Sequence, residues 1–215
     1  ETGSIARVEE ISRCASEVQD ALISILSEKR LSVPELGLEV PAVKGFSVIA
    51  TANTRDKGDN DMSAALKRRF NIVVLPAPAD LETELEIVRT RVEQLSAGLD
   101  LNARQPEEDT VEKVVTIFRE LRAGATLDGK QKLKSTTGVL STAEAISLLA
   151  NSMALAGSFG SGTITPADLA AALQGAVVKD EEKDRLAWKE YLENVMKKRG
   201  SEWLPLYRAC RALEQ

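Results

Sequence analysis

The sequence predicts an α/β part of about 78 residues followed by an all-α part. Two short segments, residues 4–8 and 46–52, are rich in apolar, β-prone side chains and end in polar ones, which is typical of buried parallel strands. From about residue 79 onward, apolar side chains recur at the spacing of amphipathic helices. We therefore expect a parallel sheet first and a set of packed helices after it.

The polar side chains at the ends of the two predicted strands form a candidate site. Glu9 and Glu10 follow residues 4–8, and Asn53 follows residues 46–52. In open α/β sheets, ligands bind at the carboxyl ends of parallel strands. Two carboxylates and an amide suit metal–phosphate chemistry, in which one carboxylate holds the metal, the other polarises a water and the amide orients that water.

The segment between these two strands predicts a helix and a hairpin. Residues 16–29 have one apolar helical face, and Ser16 and Gln19 fit a capping box at its start. Residues 31–43 alternate apolar and polar side chains around Gly37, which predicts a β-hairpin.

A short basic helix is predicted after the second strand. Ser63 is expected to cap a helix over residues 64–70, and its last turn carries three cations, Lys67, Arg68 and Arg69. Cations in a last turn also suit the helix macrodipole, so this cluster has a purely structural explanation as well. Residues 72–75 are apolar and β-branched, which predicts a further strand.

The remainder of the chain predicts six helices. The first begins after Asp80 and covers residues 81–97, and the second covers residues 107–123. Two capping boxes begin the next pair, Ser141 with Glu144 and Thr165 with Asp168. The last two helices, over residues 180–199 and 202–213, carry aromatic side chains that we expect in the core: Trp188, Tyr191, Trp203 and Tyr207.

Composition excludes several classes of function. The 215 residues are 43% hydrophobic and 28% charged, as in soluble globular proteins, and the net charge of −5 argues against a nucleic-acid or anionic-membrane surface. The absence of histidine excludes His-based triads and most zinc chemistry. Cys14 and Cys210 show no metal-binding spacing, so we expect reduced thiols. No membrane-spanning run or signal peptide is visible, and we expect a cytoplasmic protein.

Three segments together resemble the MoxR branch of the AAA+ ATPases. They read VEEISRCASEVQDALISILSEKRL, GFSVIATANTRD and SAALKRRFNIVVLPAP, and their order and spacing are specific although each alone is weak. The resemblance implies that Glu9 and Glu10 are the Walker B pair, with Glu9 helping to hold Mg²⁺ and Glu10 polarising the attacking water. It further implies that Asn53 is sensor 1 and that Arg69, with Arg68 as fallback, is the arginine finger.

The resemblance covers about the first 90 residues closely and the rest as a helical lid. It implies a partial AAA+ parallel-sheet core over residues 1–78, a lid over 79–178 and a helical extension over 179–215. It also implies ATP and Mg²⁺ as cofactors, and a homo-oligomeric, commonly hexameric ring that remodels proteins in a chaperone-like way with von Willebrand A domain partners. The hairpin at 31–43 is similar to the pre-sensor hairpin of this group, which often lines the pore; a plain surface hairpin is the alternative.

The sequence departs from the family pattern in two places. A Walker A loop, G-x-x-x-x-G-K-[ST], does not precede Glu9. Residues 124–131 fit most of that pattern, but they follow a helix and end in Gln131, so we expect a helix end and a turn there. Glu144 stands where the family usually has the sensor 2 arginine, and we expect it to be a cap. We therefore expect a part of a longer ATPase that is inactive alone.

Two alternatives from other classes remain open. The chain could be a non-catalytic assembly module that lends Arg69 to a partner's site, or a DNA-motor relative, against which the acidic balance argues. In the AAA+ sheet the Walker A strand lies between the sensor 1 strand and the strand after the finger, here residues 46–52 and 72–75. Without it, we expect residues 1–78 to be the less stable half of the chain.

Overall fold

The computed structural model describes residues 4–52, 62–98 and 103–214. The chain divides into two compact units, Glu1–Leu75 and Pro76–Gln215. The first unit is mixed α/β and the second is helical, which confirms the predicted fold class. No helix in these described ranges combines the length and apolar character needed to cross a membrane.

Over its described residues, the first unit contains two separate pairs of strands. In chain order they are β1 (Ile5–Val8), β2 (Arg30–Val33), β3 (Leu38–Pro41) and β4 (Ser47–Ala50). β1 and β4 pair in parallel, from Ile5 opposite Ser47 to Val8 opposite Ala50, as the sequence predicts. β2 and β3 form the predicted antiparallel hairpin. At its tip, Gly37 has φ of 60°, a conformation that favours glycine.

Two α-helices pack within the part of the first unit that the structure describes. They are α1 (Ser16–Glu28) and α2 (Ala64–Lys67), and the hydroxyl of Ser63 caps α2 by accepting a hydrogen bond from the Leu66 N–H, as predicted. The predicted capping box of Ser16 and Gln19 is wrong. α1 begins after Ala15 without a side-chain cap, because the Gln19 amide is used in tertiary hydrogen bonds with Cys14 and Ser63.

The strand predicted at residues 72–75 is absent. These four residues have no regular secondary structure, and their apolar side chains are 59–87% exposed. A strand exists only when a neighbour completes its backbone hydrogen bonds. Within the described ranges, no segment pairs with these residues, so the β-propensity of Ile72, Val73 and Val74 is insufficient to form a strand.

In the described residues of the second unit, six α-helices pack around one core. They are α3 (Leu81–Gly98), α4 (Glu108–Ala123), α5 (Thr142–Phe159), α6 (Pro166–Val177), α7 (Lys183–Asn194) and α8 (Leu204–Leu213). α5 packs against α3, α4 and α6, and α8 packs against α6. The helix predicted over 180–199 is shorter, since α7 ends at Asn194 and a 3-10 turn, Met196–Lys198, follows it. Three aromatic side chains are buried in this core as expected: Trp188, Tyr191 and Trp203.

Local signals determine where the helices of the second unit begin and end. Both predicted capping boxes are present, at Ser141 with Glu144 and at Thr165 with Asp168. α4 ends at Gly124, whose φ of 67° is the left-handed conformation of a helix C-cap. The residues after it turn back through a hydrogen bond from the Lys130 N–H to the Asp128 carboxylate. The Gly124–Gln131 segment is therefore the helix end and turn that the sequence predicts.

Candidate functional site

The candidate site lies where β1 and β4 end side by side. Beyond the last pair of the register, the Thr51 N–H donates to the Val8 carbonyl at 2.9 Å, and the Ile11 N–H donates to the Thr51 carbonyl at 2.9 Å. These two bonds continue the ladder past the end of the strands. Glu9 and Glu10 lie along the chain between Val8, the last residue of β1, and Ile11, so both occur at the carboxyl edge of the sheet, as predicted.

The hydroxyl of Thr51 joins the two glutamates. It donates a hydrogen bond to the Glu9 carboxylate at 2.5 Å and accepts one from the Glu10 N–H at 3.1 Å. Because one hydroxyl holds both groups, the Glu9 side chain and the Glu10 backbone have a fixed spacing. The sequence analysis missed this role for Thr51. The available signal was its position two residues before Asn53, at the end of an apolar strand.

The Glu9 side chain is accessible to solvent, and its ion pair is weak. Its carboxylate forms an ion pair with Arg7, and the side chains of Arg7 and Glu9 are 73% and 52% exposed. Exposed pairs of this kind contribute about 0–1 kcal/mol and are screened by salt. A ligand of higher charge could therefore displace the Arg7 guanidinium from Glu9 at low cost.

Glu10 adopts a backbone conformation that is unusual for a residue with a side chain. Its φ of 51° and ψ of 48° place it in the left-handed region, which costs an L-residue roughly 1–2 kcal/mol. Its carboxylate lies 2.9 Å from the Arg13 guanidinium, at the end of the 3-10 turn Ile11–Arg13 that follows. The turn thus gives the two adjacent carboxylates different partners. Strained residues of this kind concentrate at functional sites.

The other two predicted site residues are Asn53 and Arg69. Asn53 lies outside the described residues. Arg69 follows α2, where its guanidinium donates to the Ser27 hydroxyl at 3.0 Å and to the Ala65 carbonyl at 2.9 Å. Arg69 is exposed, and these bonds join it to α1 and α2 rather than to the glutamates at the strand edge.

A buried glutamine fixes the start of the helix before Arg69. The Gln19 side chain is 3% exposed; its amide N–H donates to the Cys14 carbonyl at 3.1 Å, and its oxygen accepts from the Ser63 N–H at 3.0 Å. Leu66, on the same short helix, is fully buried. Gln19 therefore positions α2 against α1, a role that its sequence pattern did not reveal because both partners lie outside the helix of Gln19.

The oxygen atoms at the strand edge suit a hard cation in part. Mg²⁺ prefers oxygen ligands and is usually held by one or two carboxylates together with waters and phosphates. Glu9 supplies a carboxylate and Thr51 a hydroxyl beside it. In the described ranges, no group of three Asp, Glu, Cys or His side chains could enclose a metal alone. A cation at this edge would therefore depend on phosphate or water oxygens as well.

The start of α5 carries no cation for a phosphate. Glu144 is committed to the cap, since its carboxylate accepts from the Ser141 N–H at 2.7 Å and its own N–H donates to the Ser141 hydroxyl at 3.3 Å. The expectation that Glu144 is a cap is confirmed. The neighbouring Thr142 hydroxyl donates to Glu84 at 2.7 Å and is also occupied.

Comparison with known proteins gives matches for both units. Residues 1–70 match the AAA domain of the dynein-related subfamily, and residues 82–214 match the YehL-like AAA+ ATPase C-terminal domain. The chain is 38% identical over 215 residues to the uncharacterized protein YehL of Escherichia coli K12, a match that covers 98% of this chain and 59% of that protein. The chain thus spans less than two thirds of this relative.

A solved structure adds a weaker likeness. It is the crystal structure of an ATPase candidate from Cytophaga hutchinsonii, 18% identical, matched over 91% of this chain and 66% of that one. Its TM-score of 0.34 is too low to support a conclusion about the fold. The family matches, however, cover most of both units in chain order. The chain belongs to the AAA+ ATPases, and its second unit is a YehL-like AAA+ ATPase C-terminal domain.

Proposed function

We propose that this chain contributes the catalytic carboxylates and the arginine finger of a MoxR-like AAA+ ring that binds ATP and hydrolyses it with Mg²⁺. The observation that carries the proposal is the Thr51 bridge, which fixes two adjacent glutamates at the carboxyl edge of a parallel sheet. Membership of the AAA+ ATPases supports an ATP-dependent activity.

The two glutamates have separate roles in this proposal. Glu9, with the Thr51 hydroxyl beside it, would hold Mg²⁺, which when bound offsets the negative charge of the phosphates. Glu10 would accept a hydrogen bond from the attacking water and polarise it, and Asn53 would orient that water. The Thr51 bond to the Glu10 N–H holds the backbone from which the Glu10 carboxylate extends.

The 215 residues do not themselves fit the phosphates of a nucleotide. No Walker A loop occurs in the sequence, and Gly124–Gln131, which partly resembles one, is the turn at the end of α4. We therefore expect this chain alone to bind Mg-ATP weakly or not at all, because it lacks the backbone cradle and lysine of that loop. Titration calorimetry tests this, and micromolar affinity would contradict it.

Arg69 is proposed to act on a neighbouring subunit. Its described partners are a hydroxyl and a carbonyl, and both are neutral. Exchanging such neutral partners for a phosphate costs less than breaking an ion pair. The exposed position of Arg69 at the end of α2 supports the same role. These features equally support the alternative of a non-catalytic module that lends Arg69 to a partner's site.

The test of the catalytic role is Glu10→Gln in a polypeptide that includes a phosphate-binding loop. The change keeps the shape and removes the charge that polarises water, so we expect turnover to be lost while ATP still binds. Glu35→Gln, at the exposed hairpin tip, is the matched control and should hydrolyse normally. Near-normal hydrolysis by Glu10→Gln would show that another residue is the catalytic carboxylate.

Experiments with mixed variant subunits test whether Arg69 acts on the site of a neighbouring subunit in a catalytic ring. Arg69→Ala should reduce hydrolysis by about 10³–10⁵, the contribution typical of arginine fingers, and Arg68→Ala should have little effect. Subunits with Arg69→Ala mixed with Glu10→Gln subunits should recover part of the activity, because some interfaces then combine an intact Glu10 with an intact Arg69. No recovery in assembled mixtures would exclude action in trans.

Remodelling of protein clients is the remaining part of the proposal. The hairpin of β2 and β3 supports it, because four apolar side chains there are 42–69% exposed: Leu31, Leu36, Leu38 and Val40. Exposed apolar patches commonly mark contact with other proteins. A homo-hexamer and von Willebrand A domain partners are proposed on the resemblance to MoxR proteins. Leu36→Asp at the tip should weaken client remodelling and leave basal hydrolysis unchanged if this surface contacts clients.

A further inference from the structure

A fully buried carboxylate lies near the start of the second unit. The Glu84 side chain on α3 has no exposed surface, and it accepts hydrogen bonds from Arg119 at 2.7 Å, Arg122 at 2.8 Å and Thr142 at 2.7 Å. Burial alone would raise the pKa of Glu84, but the bonds from Arg122, Thr142 and Arg119 outweigh it and lower the pKa below its usual value. Glu84 is thus a buried anion that needs both arginines.

One carboxylate cannot satisfy two guanidinium groups, which together carry ten N–H donors. Backbone carbonyls accept further hydrogen bonds from both arginines. Arg122 donates to the Leu140 carbonyl at 2.8 Å. Arg119 donates to three consecutive carbonyls, those of Pro78 at 3.2 Å, Ala79 at 2.9 Å and Asp80 at 3.0 Å. A single side chain therefore bonds the carbonyls of all three residues that directly precede α3.

The residues before this segment have different surroundings. Residues 72–75 have no regular secondary structure and are 59–87% exposed, and the two compact units divide at Leu75. Pro78 is the first residue along the chain whose backbone Arg119 holds. Residues 72–75 are exposed and residues 78–80 are bonded to Arg119, and this change occurs within a few residues of the boundary between the units at Leu75.

We propose that Arg119 is a positioning residue that fixes residues 78–80 to the second unit and confines the joint between the two units to residues 71–77. Glu84 extends the same network to the first turn of α5 through Thr142. This inference does not depend on ATP hydrolysis, so it can fail while the proposed function stands.

The test is limited digestion of the 215-residue chain with proteinase K, with the first cleavage sites located by mass spectrometry. Native chain should be cut faster within residues 71–77 than within residues 78–81. Equal cleavage rates in the two segments of the native chain would overturn the proposal, and this result requires no variant to fold.

The informative variant is Arg119→Lys. Lysine keeps the positive charge but lacks the planar guanidinium group, whose several N–H donors reach several acceptors at once. We expect cleavage within 78–81 to rise about tenfold while hydrogen exchange in α6 and α8 stays unchanged. Arg91→Lys is the matched control, since Arg91 on α3 is hydrogen-bonded only to the Gln94 side chain among the described contacts. Its digestion pattern should equal that of the native chain.

Two outcomes with Arg119→Lys would contradict the proposal. A folded variant that still resists cleavage within 78–81 would show that other contacts hold the segment. A uniform rise in hydrogen exchange over the whole second unit would show that Arg119 contributes only general stability. Thr142→Val tests the extension to α5, and it should accelerate exchange of the first-turn amides of α5 without exposing 78–81 to protease.

Discussion

The two units of the chain differ in how much of themselves they bury. In the described part of the first unit only four side chains are buried: Ile11, Ser12, Gln19 and Leu66. In the second unit, one continuous apolar core includes side chains as large as Phe118, Trp188 and Tyr191. The residues proposed for catalysis therefore all lie in the unit that buries few side chains. None of them lies in the well-packed second unit. Buried side chains and the residues proposed for catalysis are thus concentrated in different units.

The small parallel sheet explains why few side chains are buried in the described part of the first unit. Parallel strands are normally covered on both faces and flanked by further strands. Among the residues that the structure describes, the sheet of β1 and β4 has two strands, and Ile5 and Ile49 are 65% and 56% exposed. A two-stranded sheet is marginal in water by itself. The apolar side chains of this sheet are typical of a buried strand, but the described chain does not bury them.

The largest expected effect concerns the packed unit. Leu192 and Leu186 lie on α7, with 0% and 62% of their surface exposed. Leu192→Ala should lower the free energy of unfolding of the second unit by about 2–5 kcal/mol, because it leaves a cavity. Leu186→Ala, the matched control, should change it by less than about 0.5 kcal/mol. Chemical denaturation followed by tryptophan fluorescence measures both, and similar losses for the two would contradict the core described here.

A buried aspartate gives the second unit a dependence on pH. Burial alone would raise the pKa of Asp184, but bonds from the Thr137 hydroxyl and from the N–H groups of Asp180, Thr137 and Lys179 outweigh it and lower that pKa. A lowered pKa in the folded state stabilises the fold above the unfolded value, and the gain is lost as pH falls through the folded value. We expect the free energy of unfolding to fall as the pH is lowered below about 4.

Asp184→Asn isolates this contribution. It should cost about 1–3 kcal/mol at pH 7, because an amide cannot accept all the hydrogen bonds that the carboxylate accepts. It should also flatten the decline in stability at acid pH, whereas Glu181→Gln, an exposed neighbour, should leave that decline intact. An unchanged acid decline in Asp184→Asn would assign the effect to other carboxylates, with Glu84 the next candidate.

The smallest expected effect concerns the first unit. Lys29 ends α1 with φ of 57°, a conformation that glycine adopts without strain. Lys29→Gly should stabilise the first unit by up to about 1 kcal/mol, and Lys67→Gly, inside α2, should destabilise it by a similar amount. The midpoint of the first unfolding transition reports both changes. The same sign for both would show that backbone strain at Lys29 is not significant.

The sequence predicted features that depend on neighbours along the chain. The capping boxes at Ser141 and Thr165 and the end of α4 at Gly124 are determined within a few residues, and all three were predicted. The parallel pairing of β1 and β4 was also predicted, because apolar strands ending in polar residues are a strong pattern.

Features that depend on distant partners were missed. Residues 72–75 have the propensity of a strand but no partner in the described ranges. Gln19 fits a capping pattern, yet its amide binds Ser63, 44 residues away. Thr51 is an ordinary residue type whose role comes from contact with Glu9, 42 residues away. Glu84 is a buried charge whose side-chain partners lie 35 or more residues away, and Asp184 combines the nearby N–H groups of Lys179 and Asp180 with Thr137, 47 residues away.

Hydrogen exchange of single amides in the 215-residue chain tests the contrast between the two units most directly. We expect the amides of Ile49 in β4 and of Val73 in residues 72–75 to exchange at least about 10²-fold faster than that of Val115. Val115 is fully buried in the middle of α4. Equal protection at all three amides would contradict the account. It would mean that the first unit is closed by contacts as extensive as those of the second.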